Sequence, residues 1–365
     1  MDFWARSGRF KEMDKANDKI KTEGTATATV AAAVSGGVDS AVSAGMLKNG
    51  GFEVVGVFAR LSGNKTEDEK QARAVCKKLE IPFRAVDLRA EFKKRIIDKF
   101  TANTEKGLTP NPCVFCNEEI KFGLLMEAAL KSGADYFATG HYCQNKIDKS
   151  GIYHLSKGAD KKKDQSYFLW RLKQKQLGKI IFPLGVFKKN EVKELAKIWQ
   201  LPIKNNSESQ DVCFISGQAA DFFKKRLGEN PGDIIDADTK KNIGRHNGLW
   251  FYTVGQRKGI GLPGGPFYVI GKNLAKNRLL VSKKMPAASS VKLSNINWIA
   301  GAVPDLPRKI NIKIRYRAKE AAAVLDKIGK DYVLRFAKPQ FAPTPGQSAV
   351  FYVRGELIGG GIIKP

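Results

Sequence analysis

Thr29-Val30-Ala31-Ala32-Ala33-Val34-Ser35-Gly36-Gly37-Val38-Asp39-Ser40 decides how this 365-residue chain is read. Thr29–Val34 is apolar and of strand length, and Ser40–Lys48 follows with Ala41, Ala44 and Met46 among its small or apolar helical positions. A strand that turns through glycine into a helix offers backbone N–H groups to an anion. Gly36 and Gly37 permit the tight turn and a close approach, Ser35 and Ser40 add hydroxyl donors, and Asp39 could position Mg²⁺ or water beside phosphates. Two glycines between serines also describe an ordinary turn; here the strand-to-helix context favours a phosphate loop. No Walker-type Gly-x-x-x-x-Gly-Lys-[Ser/Thr] string occurs.

Working outward, Glu53–Ala59 and Phe83–Leu88 read as further strands. Glu67–Glu80 reads as a helix with Ala72, Val75, Cys76 and Leu79 at helical spacing. Helices around Phe92–Phe100 and Asn117–Lys131, a Pro-rich loop Thr109–Pro112 and a strand Tyr136–Thr139 continue the alternation. The fold class expected is α/β, a doubly wound parallel sheet, followed by a small β-rich central domain and a C-terminal β-barrel. Gln165–Leu172 and Lys189–Trp199 are expected to be helical. Beyond Gly228 short alternating segments take over, with a β-rich module at Ile234–Ile270 and strands at Lys309–Tyr316, Tyr332–Phe336, Ser348–Val353 and Leu357–Ile363. The expected division is a leader at 1–24, a catalytic domain at 25–215, a central domain at 216–285 and a barrel domain at 286–365.

Lysine and arginine number 63 against 36 acidic residues, a formal charge of +27. Such an excess attracts polyanions, and nucleic acid is the expected partner. No apolar run approaches the roughly 18 residues a spanning helix needs, so no membrane is expected. The first 24 residues mix six basic with five acidic side chains and hold no signal-like apolar stretch. Five cysteines, an odd number, are then expected to be reduced thiols in a cytoplasmic protein.

Cys113 and Cys116 form a Cys-x-x-Cys where a loop enters a helix, and Cys213 lies far along the chain. A helix start lowers a thiol pKa, which would make the first two thiolates at neutral pH. A redox pair, half of a zinc site and iron–sulfur ligands all fit the spacing, with His141 as a candidate fourth zinc ligand. Cys76 and Cys143 are expected to be packing residues.

Together these strings resemble the tRNA-specific 2-thiouridylase family, within the ATP pyrophosphatase superfamily and its adenine nucleotide alpha hydrolase-like fold. The likeness is carried from about Thr29 to Ile363 by the Ser35–Ser40 loop, Thr109–Pro112, Cys116–Phe122, Ala138–Tyr142, Lys163–Leu169 and Cys213–Ile215. Gly255–Gly259, Arg315–Arg317 and Thr344–Tyr352 extend it. The resemblance implies ATP on Ala33, Val34, Ser35, Gly36, Gly37, Val38, Asp39 and Ser40, on Ala59 and near Gly140. It implies adenylylation of the C2 carbonyl oxygen of the wobble uridine and displacement of AMP by sulfur. Cys213 matches the carrier of an incoming persulfide and Cys116 its partner, which releases sulfide or closes a disulfide. Contacts to tRNA are implied at Asn111, Pro112, Cys113, His141, Lys163, Asp164, Gln165, Arg315, Tyr316 and Gln347. The sulfur donor would be a persulfide carrier protein or sulfide.

Cys113 stands where the family pattern has aspartate. The stretch after Phe58 lacks an acidic and aromatic insertion, and Ala59 replaces a methionine. With Cys113 the chain has three candidate thiolates, a number suited to a [4Fe–4S] cluster with one open iron, whereas the persulfide route needs only Cys116 and Cys213. The rival readings are a 4-thiouridine or lysidine synthetase, which would share the ATP chemistry, and a non-enzymatic basic RNA-binding protein with a structural metal.

Overall fold

A computed structural model describes residues 28–61, 66–203, 212–215 and 217–365. The expected leader at 1–24 lies outside the described residues.

The chain enters through β1 (Thr29–Ala33), α1 (Val38–Asn49), β2 (Glu53–Arg60), α2 (Thr66–Lys78) and β3 (Phe83–Asp87). A long helical run follows: α3 (Arg89–Phe92), a π-wound stretch Lys93–Asp98, and α4 (Lys99–Glu105). A second run holds α5 (Pro112–Phe115), π-wound Cys116–Leu125 and α6 (Met126–Lys131). Then come β4 (Tyr136–Ala138), the hairpin β5 (Cys143–Ile147) and β6 (Tyr153–Lys157), α7 (Gln174–Leu177), β7 (Ile180–Ile181) and α8 (Lys189–Ile198).

Five parallel strands form one sheet in the order β3-β2-β1-β4-β7. Alternate β1 side chains serve opposite faces: Val30 and Ala32 join one apolar cluster, Ala31 and Ala33 the other. Burial on both faces explains why β1 reads as an unbroken apolar run. Because β2 and β4 flank β1, the winding reverses there, and the carboxyl ends of β1 and β4 frame a switch-point crevice.

Helix α9 (Ala219–Leu227) leads into β8 (Gly232–Asp236), β9 (Asn242–His246), β10 (Tyr268–Asn273) and β11 (Arg278–Ser282), a sheet ordered β10-β11-β8-β9 around its own small core. The remaining strands are β12 (Ala287–Trp298), β13 (Arg308–Lys313), β14 (Ala321–Ile328), β15 (Asp331–Phe341), β16 (Ser348–Val353) and β17 (Glu356–Ile363). They run antiparallel as β12-β15-β14-β13-β16-β17 and close through β12 against β17.

The hairpin β5–β6 does not join the parallel sheet. It extends the barrel sheet, with Leu155 and Ser156 of β6 opposite Leu357 and Glu356 of β17. Trp170 and Tyr167, fully buried, seal this joint: indole Nε1 donates to Ser348 Oγ at 3.1 Å, and the phenol donates to Ser348 O at 3.0 Å. The expected helix at Gln165–Leu172 is instead a single 3₁₀ turn at Ser166–Phe168. Its apolar residues are spent facing the barrel rather than repeating a helical stripe.

Candidate active site

The phosphate loop is held by its own serines. Ser35 N donates to Ser40 Oγ at 3.0 Å, Ser40 Oγ donates to Gly37 O at 2.9 Å, and the two hydroxyl oxygens lie 3.2 Å apart. Gly36 has φ +82°, and a Cβ there would come within 3.0 Å of Asp68 O, so only glycine suits the turn. Ser35 and Gly37 are exposed while Val34 and Ser40 are buried. The loop thus presents one face to solvent at the start of α1, whose first amide groups have no acceptor within the helix. Ala33 and Ala59, at the ends of β1 and β2, line the same edge half-buried. Gly140, after β4, lies flat against the loop: a Cβ on it would be 2.7 Å from the Asp39 carbonyl carbon.

Asp39 is gripped by two side chains distant in sequence. Lys189 Nζ donates to both carboxylate oxygens, at 2.6 and 2.7 Å, and the Tyr142 hydroxyl donates to Oδ1 at 2.7 Å. Both carboxylate oxygens thus already accept bonds, and a role beside phosphate or Mg²⁺ would share them with Lys189 and Tyr142. Lys189 is buried at the start of α8, 150 residues from Asp39, and no local pattern around it announced the contact.

The three cysteines lie within electrostatic reach of one another. Asn111 caps α5, accepting from Cys113 N at 3.1 Å, and the helix then carries Cys113 half-buried and Cys116 buried. Cys213 is exposed, yet close enough that a charge on it would raise the pKa of both. Neither of the first two is a resting thiolate. Burial raises the Cys113 thiol and pushes Cys116 up to about 12, against a smaller pull from the Lys121 ammonium. Desolvation of both thiols outweighs the expected helix-start effect. Cys76, raised to about 11, and Cys143, raised far above its ordinary value, are buried as packing residues.

Among the described residues no three His, Cys, Asp or Glu side chains are grouped to hold a metal ion. Cys113, Cys116 and Cys213 as placed therefore do not fit the [4Fe–4S] cluster, nor a zinc site with His141. His141 is buried between the Phe122 and Phe182 rings, with Nδ1 2.7 Å from Thr139 Oγ1, and burial holds its pKa well below 6.5.

Residues 28–217 match a family described as the tRNA methyl transferase HUP domain, 220–283 its PRC-barrel domain, and 288–363 an aminomethyltransferase beta-barrel domain. A tRNA-specific 2-thiouridylase of Syntrophomonas wolfei is 44% identical over 338 residues, 92% of this chain and 99% of that protein. Its counterpart in a Thermoanaerobacter species is 41% identical over 358 residues (92% and 97%), and that of Streptococcus thermophilus 38% over 353 (92% and 94%). The chain belongs to the tRNA-specific 2-thiouridylase family.

The tRNA contacts expected from that family fall into two kinds. Lys163 and Gln165 are partly exposed on a turn braced by Asp160 and Asp164, and Gln165 Oε1 accepts from Tyr142 N at 3.1 Å. Others are engaged inside the molecule. Asp164 is buried, accepting from Gly158 N and Ser166 N. Gln347 Nε2 donates to Thr109 O at 2.6 Å, so the barrel buttresses the loop before Asn111 and Pro112. Tyr316 packs on Phe168, ring centroids 4.4 Å apart. Arg315 donates to Val254 O, Ala342 O and Thr344 Oγ1 at 3.0, 2.9 and 2.7 Å, tying the central module to the barrel.

Proposed function

We propose that the chain is an ATP-dependent tRNA-uridine 2-sulfurtransferase acting on the wobble uridine. One observation carries this reading: Cys213 stands exposed near Cys113 and Cys116, and Cys116 belongs to the apolar core against which Ala33 and Ala59 pack at the phosphate-loop edge. Activating an oxygen with a nucleotide and replacing it with sulfur needs both parts. Methyl transfer, suggested by the family descriptions, needs neither. Another pyrophosphate-loop thiolase would share the loop, but the relatives match along nearly their whole length, barrel included.

In the first step the uridine O2 attacks the α-phosphorus of ATP, a P–O bond forms, pyrophosphate leaves, and N3 gives up its proton. Loop amides and the Ser35 hydroxyl face the phosphates and stabilise the charge that develops there. Mg²⁺ accompanies ATP as counter-ion, and no residue is assigned to it. In the second step the outer sulfur of a Cys213 persulfide attacks C2, and AMP departs with the oxygen. Cys116 then attacks the Cys213 sulfur. The base leaves as the thiocarbonyl with the Cys116 proton returned to N3, and a Cys116–Cys213 disulfide remains for a dithiol to reduce. Alternatively, Cys116 attacks the persulfide first and frees hydrogen sulfide, which displaces AMP. Cys113 sits beside the base in this reading. Lys163, Gln165 and the surrounding basic surface hold the RNA, with Asp164, Arg315, Tyr316 and Gln347 shaping that surface from within. A persulfide carrier loads Cys213 by passing its outer sulfur to the Cys213 thiolate and keeping a thiolate itself, whereas sulfide as donor would bypass Cys213 and displace AMP directly; the reaction belongs in the cytoplasm.

The test is expression in a host lacking 2-thiolation, with nucleosides measured by mass spectrometry. Recovery of 2-thiouridine at the wobble position, lost in Cys213→Ser, supports the reading. No 2-thiouridine, or 4-thiouridine or lysidine instead, overturns it.

A further inference from the structure

Cys213 is exposed, and an exposed thiol on a connecting turn has no fixed direction unless something next to it is anchored. Val212–Ile215 forms a turn closed by Ile215 N donating to Val212 O at 2.9 Å, which places Cys213 and Phe214 at its two central positions. Their side chains part: the thiol faces solvent, and the ring enters an aromatic cluster. Phe214 meets Phe92 edge-on at 5.9 Å between centroids, Phe100 edge-on at 5.6 Å and Phe222 at 5.5 Å. Phe100 also stacks on Phe223 at 5.6 Å, so the cluster is clamped by α9 on its far side. The helical run carrying Phe92 packs directly against the run carrying Cys113 and Cys116. Phe214 therefore references Cys213 to its two partner thiols through one buried ring, Phe92.

We infer that Phe214 is a positioning residue for sulfur transfer, docking the turn so that the Cys213 sulfur is held over Cys116. The inference rests on the proposed role of Cys213 and names what gives that residue its aim. Reach between two reacting sulfurs is steep in geometry, since a misplacement of about 1 Å can cost about 100-fold in rate. Adenylylation requires no such reach, so the two half-reactions separate the role from a general loss of fold.

The experiment compares wild type, Phe214→Ala and Phe214→Leu in the full chain with tRNA. Three rates are measured: tRNA-stimulated pyrophosphate release, 2-thiouridine formation with a small persulfide donor, and closure of the Cys116–Cys213 disulfide with diamide. In the last, the two thiols lose two electrons and two protons to diamide. Expected is pyrophosphate release within about twofold of wild type, with thiolation and disulfide closure slowed together, about tenfold or more in Phe214→Ala and less in Phe214→Leu. Unchanged closure and thiolation in Phe214→Ala overturn the inference. Should Phe214→Ala lose pyrophosphate release through misfolding, Phe214→Leu decides by the same criterion, and closure at the wild-type rate there overturns it. Full thiolation by Cys213→Ser would instead strike down the proposed role of Cys213, a result these Phe214 outcomes cannot imitate.

Discussion

Lys189 spans both carboxylate oxygens of Asp39, joining the start of α8 to the phosphate loop by two bonds of 2.6 and 2.7 Å. Asp39→Ala takes both carboxylate acceptors from a buried ammonium, and Lys189→Met takes both ammonium bonds from the carboxylate. Each substitution is expected to cost about 1.5–3 kcal/mol of stability, the range for hydrogen bonds to charged groups. The double variant should cost less than the sum, because both single changes break the same pair of bonds. Pyrophosphate release should be lost in all three. Denaturant titrations and a pyrophosphate assay check both statements, and strict additivity of the stabilities would refute the pairing.

Alkylation should rank the cysteines by exposure. At pH 8 an ordinary free thiol is about one-quarter thiolate, whereas a thiol at about 12 is thiolate in about one molecule in 10,000. Cys213 is expected to label first with iodoacetamide, and Cys116, Cys76 and Cys143 to lag far behind a free-thiol standard in the folded chain. Peptide mass spectrometry over time reads the order; early labelling of Cys116 would contradict its placement.

Arg315→Ala should loosen the junction between central module and barrel, since one guanidinium nitrogen serves three oxygens on Val254, Ala342 and Thr344. A loss of about 1.5–3 kcal/mol is expected, with faster hydrogen exchange around Val254 and little change in ATP affinity. A variant as stable as wild type, weakened only for tRNA, would make Arg315 a direct contact instead.

His154 bridges two carboxylates across the hairpin joint, Nδ1 to Glu356 at 2.7 Å and Nε2 to Asp148 at 3.0 Å. Glu356 and then Asp148 raise its pKa in the fold, against some burial. Folding therefore favours the protonated ring. The contribution is full below the unfolded value of about 6.5 and is lost as pH rises through the raised folded value. The Tm difference between wild type and His154→Gln should be largest near pH 6 and shrink toward pH 9. A pH-independent difference would refute it.

The nucleotide half of the fold was legible because each of its signals is local. The apolar run of β1, the glycine turn and the spacing of Ala72, Val75 and Cys76 each lie within a dozen residues. What escaped depends on distant packing. β5 and β6 carry a mixture of polar and apolar residues because they ride on the barrel edge, and Tyr167 and Trp170 gave a false helical stripe by facing that barrel. In the site, the loop and the cysteines could be read from sequence. The thiol ionisation could not, since burial and not the nearby helix start governs it. Lys189 left no trace, being one lysine among many. Phe92 and Phe100, on one helical run, both meet the Phe214 ring, a contact that no local spacing announced.

The pairing of β6 with β17 sets an order of events during synthesis. The hairpin emerges 200 residues before its partner strand, since Ser156 pairs with Glu356. Nascent domains generally fold as they appear, but here the catalytic half must wait with an unsatisfied strand edge and the apolar faces of Leu155, Tyr167 and Trp170 uncovered. Such edges are templates for wrong partners. The ribosome-bound intermediate, rather than the finished enzyme, is therefore the state most exposed to aggregation, and a premature stop anywhere in the barrel endangers the nucleotide domain as well.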